Sequence, residues 1–419
     1  MLRVWRNNLL NHIRPNLWDG LAFMILVALF ALIAYGATQM SSPYKLGQML
    51  PIHLDPSFLP YYALRTVLRL FIALLLSLLF TFTVGTLAAK NKHAEKIIIP
   101  AIDILQSVPI LGFLSITIVI FIALFPNSLL GPECAAIFVI FTSQVWNMAL
   151  GFYQSLKTLP HELGEASRMF HLSSWQRFWR VEVPFAMPSL IWNMMMSLSA
   201  SWFFVVASEA ITVNHQHILL PGVGSYIATA IMHADKMAVM YAIVTMLVVI
   251  LLYDQLLFRP LVLWSERFKL EASLDEKRTS SLLVALLNKG HFLHYLGEFF
   301  AMIFAWMTSW RFGSTQKVVT LQREKHRYWS RVTLWSWYEL VSLACLVALV
   351  FLLEFIFKSL TMHDALHVML LGLYTAIRVF VLIIICSIVW VPIGVWVGLN
   401  PRVTQVVQPI AQFLASFPA

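Results

Sequence analysis

Apolar positions cluster into runs long enough to cross a bilayer, which needs roughly 20 apolar residues per helix. Over the first 258 positions the runs fall at about 20–39, 62–89, 97–125, 133–153, 189–213 and 237–258. The third contains Pro109 and Gly112 and is expected to kink there. Between the fifth and sixth stand a Leu-Pro-Gly-Val-Gly turn and a short amphipathic piece. Two further runs follow at about 335–357 and 368–398. Separating the two series, residues 260–331 are charged at both ends, with an apolar stretch at 282–307 interrupted by Lys289, His291, His294 and Glu298. A spanning helix would bury those four at mid-depth at high cost. A helix on the inner membrane surface is the expectation instead. The pattern predicts an all-α polytopic membrane protein. Its parts are an N-terminus at 1–18, a six-helix unit at 19–259, a linker at 260–331 and a partial second unit at 332–419.

Composition agrees with that pattern. Hydrophobic residues make up 60% of the 419 and charged residues only 12%, where a soluble domain carries about a quarter. The formal net charge of +9 fits basic cytoplasmic loops and is not read as nucleic-acid binding. Basic residues fill the N-terminus, the 90–96 segment and the 154–188 loop, and are sparse in 41–60, 126–132 and 214–236. The positive-inside rule therefore puts the N-terminus and the 154–188 loop in the cytoplasm. The first run is taken as a retained helix, since no cleavage site stands after Ala37. Cys134, Cys345 and Cys386 are too scattered for a disulfide framework or a metal site. His215 and His217 are read as solvated loop residues. With no Gly-x-x-x-x-Gly-Lys-Ser/Thr loop, the chain is not expected to hold nucleotide in that way, and no hydrolytic or metal-binding constellation marks it as an enzyme.

The second series repeats the first. At a fixed offset of 309, Thr66 meets Thr375, Arg69 meets Arg378, Gly85 meets Gly394, Asn91 meets Asn400 and Pro100 meets Pro409. Ser107 meets Ser416 and Pro109 meets Pro418 in the same register.

Polar residues inside the apolar runs are few. Glu209 either lines a pathway or makes a polar contact between helices. Arg65, Arg69 and Arg378 fall at the outer ends of second helices, where they anchor the helix at the interface or draw anions inward, anchoring being favoured. Ser197, Ser199, Ala200, Ser201, Ala207 and Ser208 permit close helix packing. The most conspicuous polar stretch is 162–188, a basic, aromatic-rich island with room for a short helix, a turn and a second helical segment.

Within that island the order is Glu165-Ala166-Ser167, three residues, His171, nine residues, Val181, Glu182, Val183, Pro184. It resembles the cytoplasmic loop E-A-A-x3-G-x9-I-x-L-P of ABC importer permeases, with His171 at the usual glycine. The Leu-Ser-Ser-Trp-Gln-Arg-Phe that follows and the Pro-x-x-x-Pro at 184–188 resemble the nitrate/sulfonate/taurine branch. The resemblance implies a type I importer permease of six helices, followed here by the start of a second copy, in the cytoplasmic (inner) membrane. It implies ABC ATPase subunits that use ATP while this chain binds no cofactor, an outer solute-binding protein, and a second permease unit or another copy of the chain. It assigns the ATPase-coupling role to Glu165, Ala166, Ser167, Arg168, His171, Trp175, Arg177, Phe178, Val181, Val183 and Pro184. Ala166 and Ser167 are small enough for close approach, Glu165 and Arg168 make polar contacts, and Val181 and Val183 pack on the bundle. Pro184 sets the start of the fifth helix. Glu209, Arg69 and Arg378 are the pathway candidates. The competing expectations are an ion-coupled secondary transporter, which would have to rely on Glu209, Asp103 and Glu354, and a non-transporting remnant or assembly subunit.

Overall fold

The computed structural model describes residues 34–44, 50–213, 216–268, 292–310 and 361–400, with isolated positions at 20–31, 339–354 and 403–411. Residues 1–18, His215, Cys345, Lys358, the linker positions 269–291 and 311–338, and most of the predicted 335–357 helix lie outside them. The chain forms two compact units, Met1–Gln316 with Gln412–Ala419, and Lys317–Ala411. Among the described residues, five helices are long and apolar enough to cross a membrane.

In the first unit, α1 (Leu59–Phe80) begins after a short 3-10 turn capped by Asp55, whose side chain accepts from the Ser57 N–H. Pro60 in its first turn loses no hydrogen bond there. A π turn, Thr81–Gly85, and a last stretch, Thr86–Lys90, continue the same rod. A basic loop was expected at 90–96. Instead the single residue Asn91 separates α1 from α2 (Lys92–Ser107), and its side chain caps α2 through the His93 and Ala94 N–H groups. The expected third span is also not one helix. Proline at 109 disfavours helical geometry at the residue before it, and Val108 is extended (ψ 132°), so α2 ends and α3 (Ile110–Leu124) starts anew. Glu95 fastens α2 to α4 (Leu130–Lys157): Lys157 Nζ lies 2.7 Å and the Tyr153 hydroxyl 2.6 Å from its carboxylate. Those two hydrogen bonds, Lys157's the stronger, hold its pKa below the ordinary range.

Beyond α4 come α5 (His161–Met169) and α6 (Ser174–Arg177), a π turn at Phe178–Glu182, and α7 (Val183–Glu209). The fifth span was expected from about 189. It is helical from Ser174, because Ser173 and Gln176 form a reciprocal capping box there. Pro184 starts only the regular α part. The expectation of an all-α chain needs one addition. β1 (Ala210–Val213) and β2 (Gln216–Leu219) pair antiparallel, Ala210 opposite Leu219, directly after Glu209. Then α8 (Val223–Met232), the predicted amphipathic piece, leads to α9 (Lys236–Tyr253), capped by Asp235. The helical path goes on through a π turn (Asp254–Phe258) and α10 (Arg259–Ser265). The described part of the predicted surface helix is α11 (Phe292–Ser309).

The core lies where α4 and α7 pack on each other and on α1. Ile140, Met148, Phe152, Leu198 and Trp202 are buried there. Ser143 and Ser201 touch hydroxyl to hydroxyl at 2.9 Å, and Ser197, Ser199 and Ser208 are also buried, as small-residue packing requires. Ala200 is exposed, and Ala207 half-buried.

The second unit is described chiefly by α12 (Met362–Gly398), a 37-residue helix that starts on a Thr361–Asp364 capping box. It matches the run predicted at 368–398. Arg378 lies exposed on it.

Candidate functional site

At one end of the first unit, α5 and α6 form the predicted helix-turn-helix island. His171 has φ +47°. Its N–H donates to the Arg168 carbonyl at 3.0 Å, and the Leu172 N–H donates to the Ser167 carbonyl at 3.1 Å. These are the two bonds of a Schellman ending, with histidine in the left-handed position that glycine normally takes. A side chain there costs about 1 kcal/mol. His171→Gly is therefore expected to stabilise this turn, read as slower hydrogen exchange at Phe170–Leu172 with no change in α7.

Side chains of the island divide by direction. Glu165, Arg168, Met169, Phe170 and His171 are exposed, and Met169 and Phe170 show 80% and 78% of their surface. Ala166 is half-buried, and Ser167 is buried with its hydroxyl on the Gly164 carbonyl at 2.6 Å. Phe178 and Val183 face the bundle, as expected of Val183. The Phe178 ring lies 6.3 Å from Phe82 and 6.5 Å from Phe152. Val181 and Pro184 are half-buried. Arg177 pairs with Glu182 at 3.0 Å, and the same buried carboxylate pairs with Lys90 at 2.7 Å. Glu182 thus ties the island to the end of the α1 rod. Sequence reasoning passed over Met169, Phe170 and Lys90. The first two look like ordinary apolar residues until the fold leaves them bare.

At the opposite end of α1, four charged side chains meet out of water. Arg69 is wholly buried and grips Glu133 with Nε at 2.6 Å and Nη2 at 2.7 Å, a bidentate fork. Its Nη1 donates to Glu209 at 2.6 Å and its Nη2 to the Pro221 carbonyl at 3.0 Å. Arg65 donates to Glu133 and to the Tyr61 hydroxyl. Thr66 donates to Glu209 at 2.6 Å and accepts from the Val223 N–H. Two cations and two carboxylates balance, and both oxygens of each carboxylate accept hydrogen bonds, the condition for burying charge, while Arg65 Nε makes none. The expectation that Arg65 and Arg69 anchor α1 at an interface is corrected. Both side chains are buried, so neither reaches a membrane surface. For Glu209 the geometry shows the polar contact between helices.

Glu209 also explains the Leu-Pro-Gly-Val-Gly turn. Its carboxylate accepts from the Gly224 N–H at 2.7 Å, and its backbone carbonyl accepts from the Leu220 N–H and the Ser225 hydroxyl. A Cβ on Gly222 would stand 2.3 Å from the carboxylate, and one on Gly224 would stand 2.2 Å from the Val206 carbonyl oxygen. Glycine is needed at both for approach. Glu133 had been read as part of an apolar run, and nothing near it in sequence marks its role.

Comparison with known proteins places this arrangement. Residues 81–258 match the family model described as the binding-protein-dependent transport system inner membrane component. These residues are a permease domain of that family. The match runs from the π turn of α1 to that after α9, and so contains the island. The nitrate import permease protein of Leptolyngbya laminosa is 23% identical over 241 residues, 55% of this chain and 81% of that protein. The bicarbonate transport system permease protein of Synechococcus elongatus is 23% identical over 278 residues, 64% of this chain and 92% of its own. A trimethylamine N-oxide transport system permease protein of Pelagibacter ubique is 30% identical over 124 residues, 30% of this chain and 16% of that one. With its apolar helices, the permease is a multi-pass membrane protein.

Proposed function

We propose that this permease is the membrane-spanning subunit of an ATP-driven importer for a small anion, and that α5 and α6 receive the ATPase. One observation carries the docking assignment. The element that holds the Glu165-to-Pro184 pattern projects from the bundle with Met169 and Phe170 bare, next to exposed Glu165 and Arg168. Exposed apolar groups rimmed by polar ones mark a contact surface. The solute class is supported by the nitrate and bicarbonate permeases among the relatives. Basic residues in the island support its cytoplasmic placement, and with it a cytoplasmic N-terminus. In this reading ATP binds to the separate subunit, an outer binding protein delivers the anion, and a second permease unit completes the pathway. ATP turnover biases the bundle between two packings, and the island passes on that bias. Arg69 and Glu209 hold the bundle together in the packing described here.

The test is co-purification with the ATPase. Glu165→Lys and the pair Met169→Asp, Phe170→Asp should each weaken retention of the ATPase by about tenfold or more, while the permease still elutes as a single species. ATPase retained at the wild-type level by both would sink the docking assignment.

A further inference from the structure

α6 meets the end of α11. Trp175 Nε1 donates to the Met307 carbonyl at 3.0 Å, and Gln176 Nε2 donates to the Ser309 carbonyl at 3.0 Å. Both acceptors lie in the last turn of α11, where a helix leaves its carbonyls without intrahelical donors. The island therefore caps α11 from outside. Gln176 serves two helices at once. Its Oε1 accepts from the Ser173 N–H at 3.1 Å to start α6, while its amide closes α11. A ladder of rings continues the contact inward. Phe304 meets Trp179 edge-on at 5.7 Å, Trp179 meets Phe178 at 5.0 Å and Phe82 at 5.8 Å, and Phe82 stands in the π turn of α1. Met302, Ile303 and Trp306 remain exposed on α11, an apolar face suited to a membrane surface.

We propose that α11 is an intramolecular partner of the docking island, seated on it through Trp175, Gln176 and Trp179, and that this seating sets how much solute moves per ATP. The proposal rests on the docking assignment above. With α11 seated, the island has a fixed second surface behind it, so force received at Met169 and Phe170 passes through the ring ladder to α1. Without α11, α6 moves alone and turnover is spent without transport. Trp175, Gln176 and Trp179 are thus positioning residues.

The experiment uses the full chain in nanodiscs, alone and with its ATPase. Gln176→Glu keeps the acceptor for the Ser173 N–H and removes the donor to Ser309. Trp175→Phe keeps the ring and removes the donor to Met307. Phe304→Ala removes the α11 ring that meets Trp179 and leaves every island residue in place. Each should speed hydrogen exchange in the last turn of α11 by about fivefold to tenfold. Each should lower nitrate or bicarbonate moved per ATP by about threefold or more, and Phe304→Ala, which lies outside the docking helices, should do so with ATPase retention unchanged. Unchanged exchange overturns the seating. Faster exchange with an unaltered transport-to-ATP ratio overturns its role. Exchange is read on the chain alone, so the Glu165→Lys result can overturn the docking assignment without touching that arm.

Discussion

Replacing Arg69 with leucine is expected to lower the thermal midpoint of the detergent-purified permease by about 10 °C. Arg69 supplies two of the three nitrogens that grip Glu133, and supplies Glu209 with its cation. Removing it strands negative charge in a site closed to water, and breaking a buried pair from one side costs about 3–5 kcal/mol. Arg69→Lys should recover only part, because a single ammonium cannot reproduce the fork. Adding Glu209→Gln to Arg69→Leu should recover more than half of the loss, since one carboxylate then goes with the cation and Arg65 stays paired with Glu133. A midpoint for Arg69→Leu within about 2 °C of wild type would mean that the cluster does not hold these helices.

Gly224→Ala is expected to be comparably damaging, although it adds one methyl group. The new carbon would meet backbone, the Val206 carbonyl oxygen at 2.2 Å and its Cα at 2.8 Å. No side-chain rotation relieves that, so α8 must back away from α7. Doing so lengthens the Gly224 N–H to Glu209 bond, a charge-assisted one. Overpacking and the weakened bond together come to roughly 3–5 kcal/mol. The readout is the yield of monodisperse protein and its midpoint, with Gly112→Ala as control, since nothing lies within 4 Å of a Cβ there. Equal midpoints for the two variants would refute the close approach.

What the sequence made legible follows from the range of the forces involved. Apolar runs long enough to span are a local property, and α1, α4, α7, α9 and α12 lie where the runs put them. The island was legible for the same reason, as was the ending at His171, but its Ser173–Gln176 capping box was not. The split at Pro109 was half visible. Proline announced a bend, but its hold on Val108 made a full break. The ion cluster could not be read. Arg69 and Glu133 stand 64 positions apart, and Glu209 a further 76 beyond, so only the packing of α1, α4 and α7 joins them. Arg69 was noticed and given a different task. α11 was recognised as amphipathic, but its seat on Trp175 and Gln176 uses backbone carbonyls, which leave no trace in side-chain pattern.

One feature of α1 ties both ends of this molecule together. Lys90 at one end answers to the island through Glu182, and Arg69 at the other holds the charged cluster. They belong to one continuous helical rod, on the order of 30 Å apart along its axis. In the docking reading the rod acts as a connecting shaft, jointed at the Thr81–Gly85 π turn, where Phe82 meets the rings of the island. A push that tilts Lys90 has two places to go: it is absorbed at that joint, or it arrives at Arg69 as torque on two buried carboxylates. The stiffness of five residues decides between them.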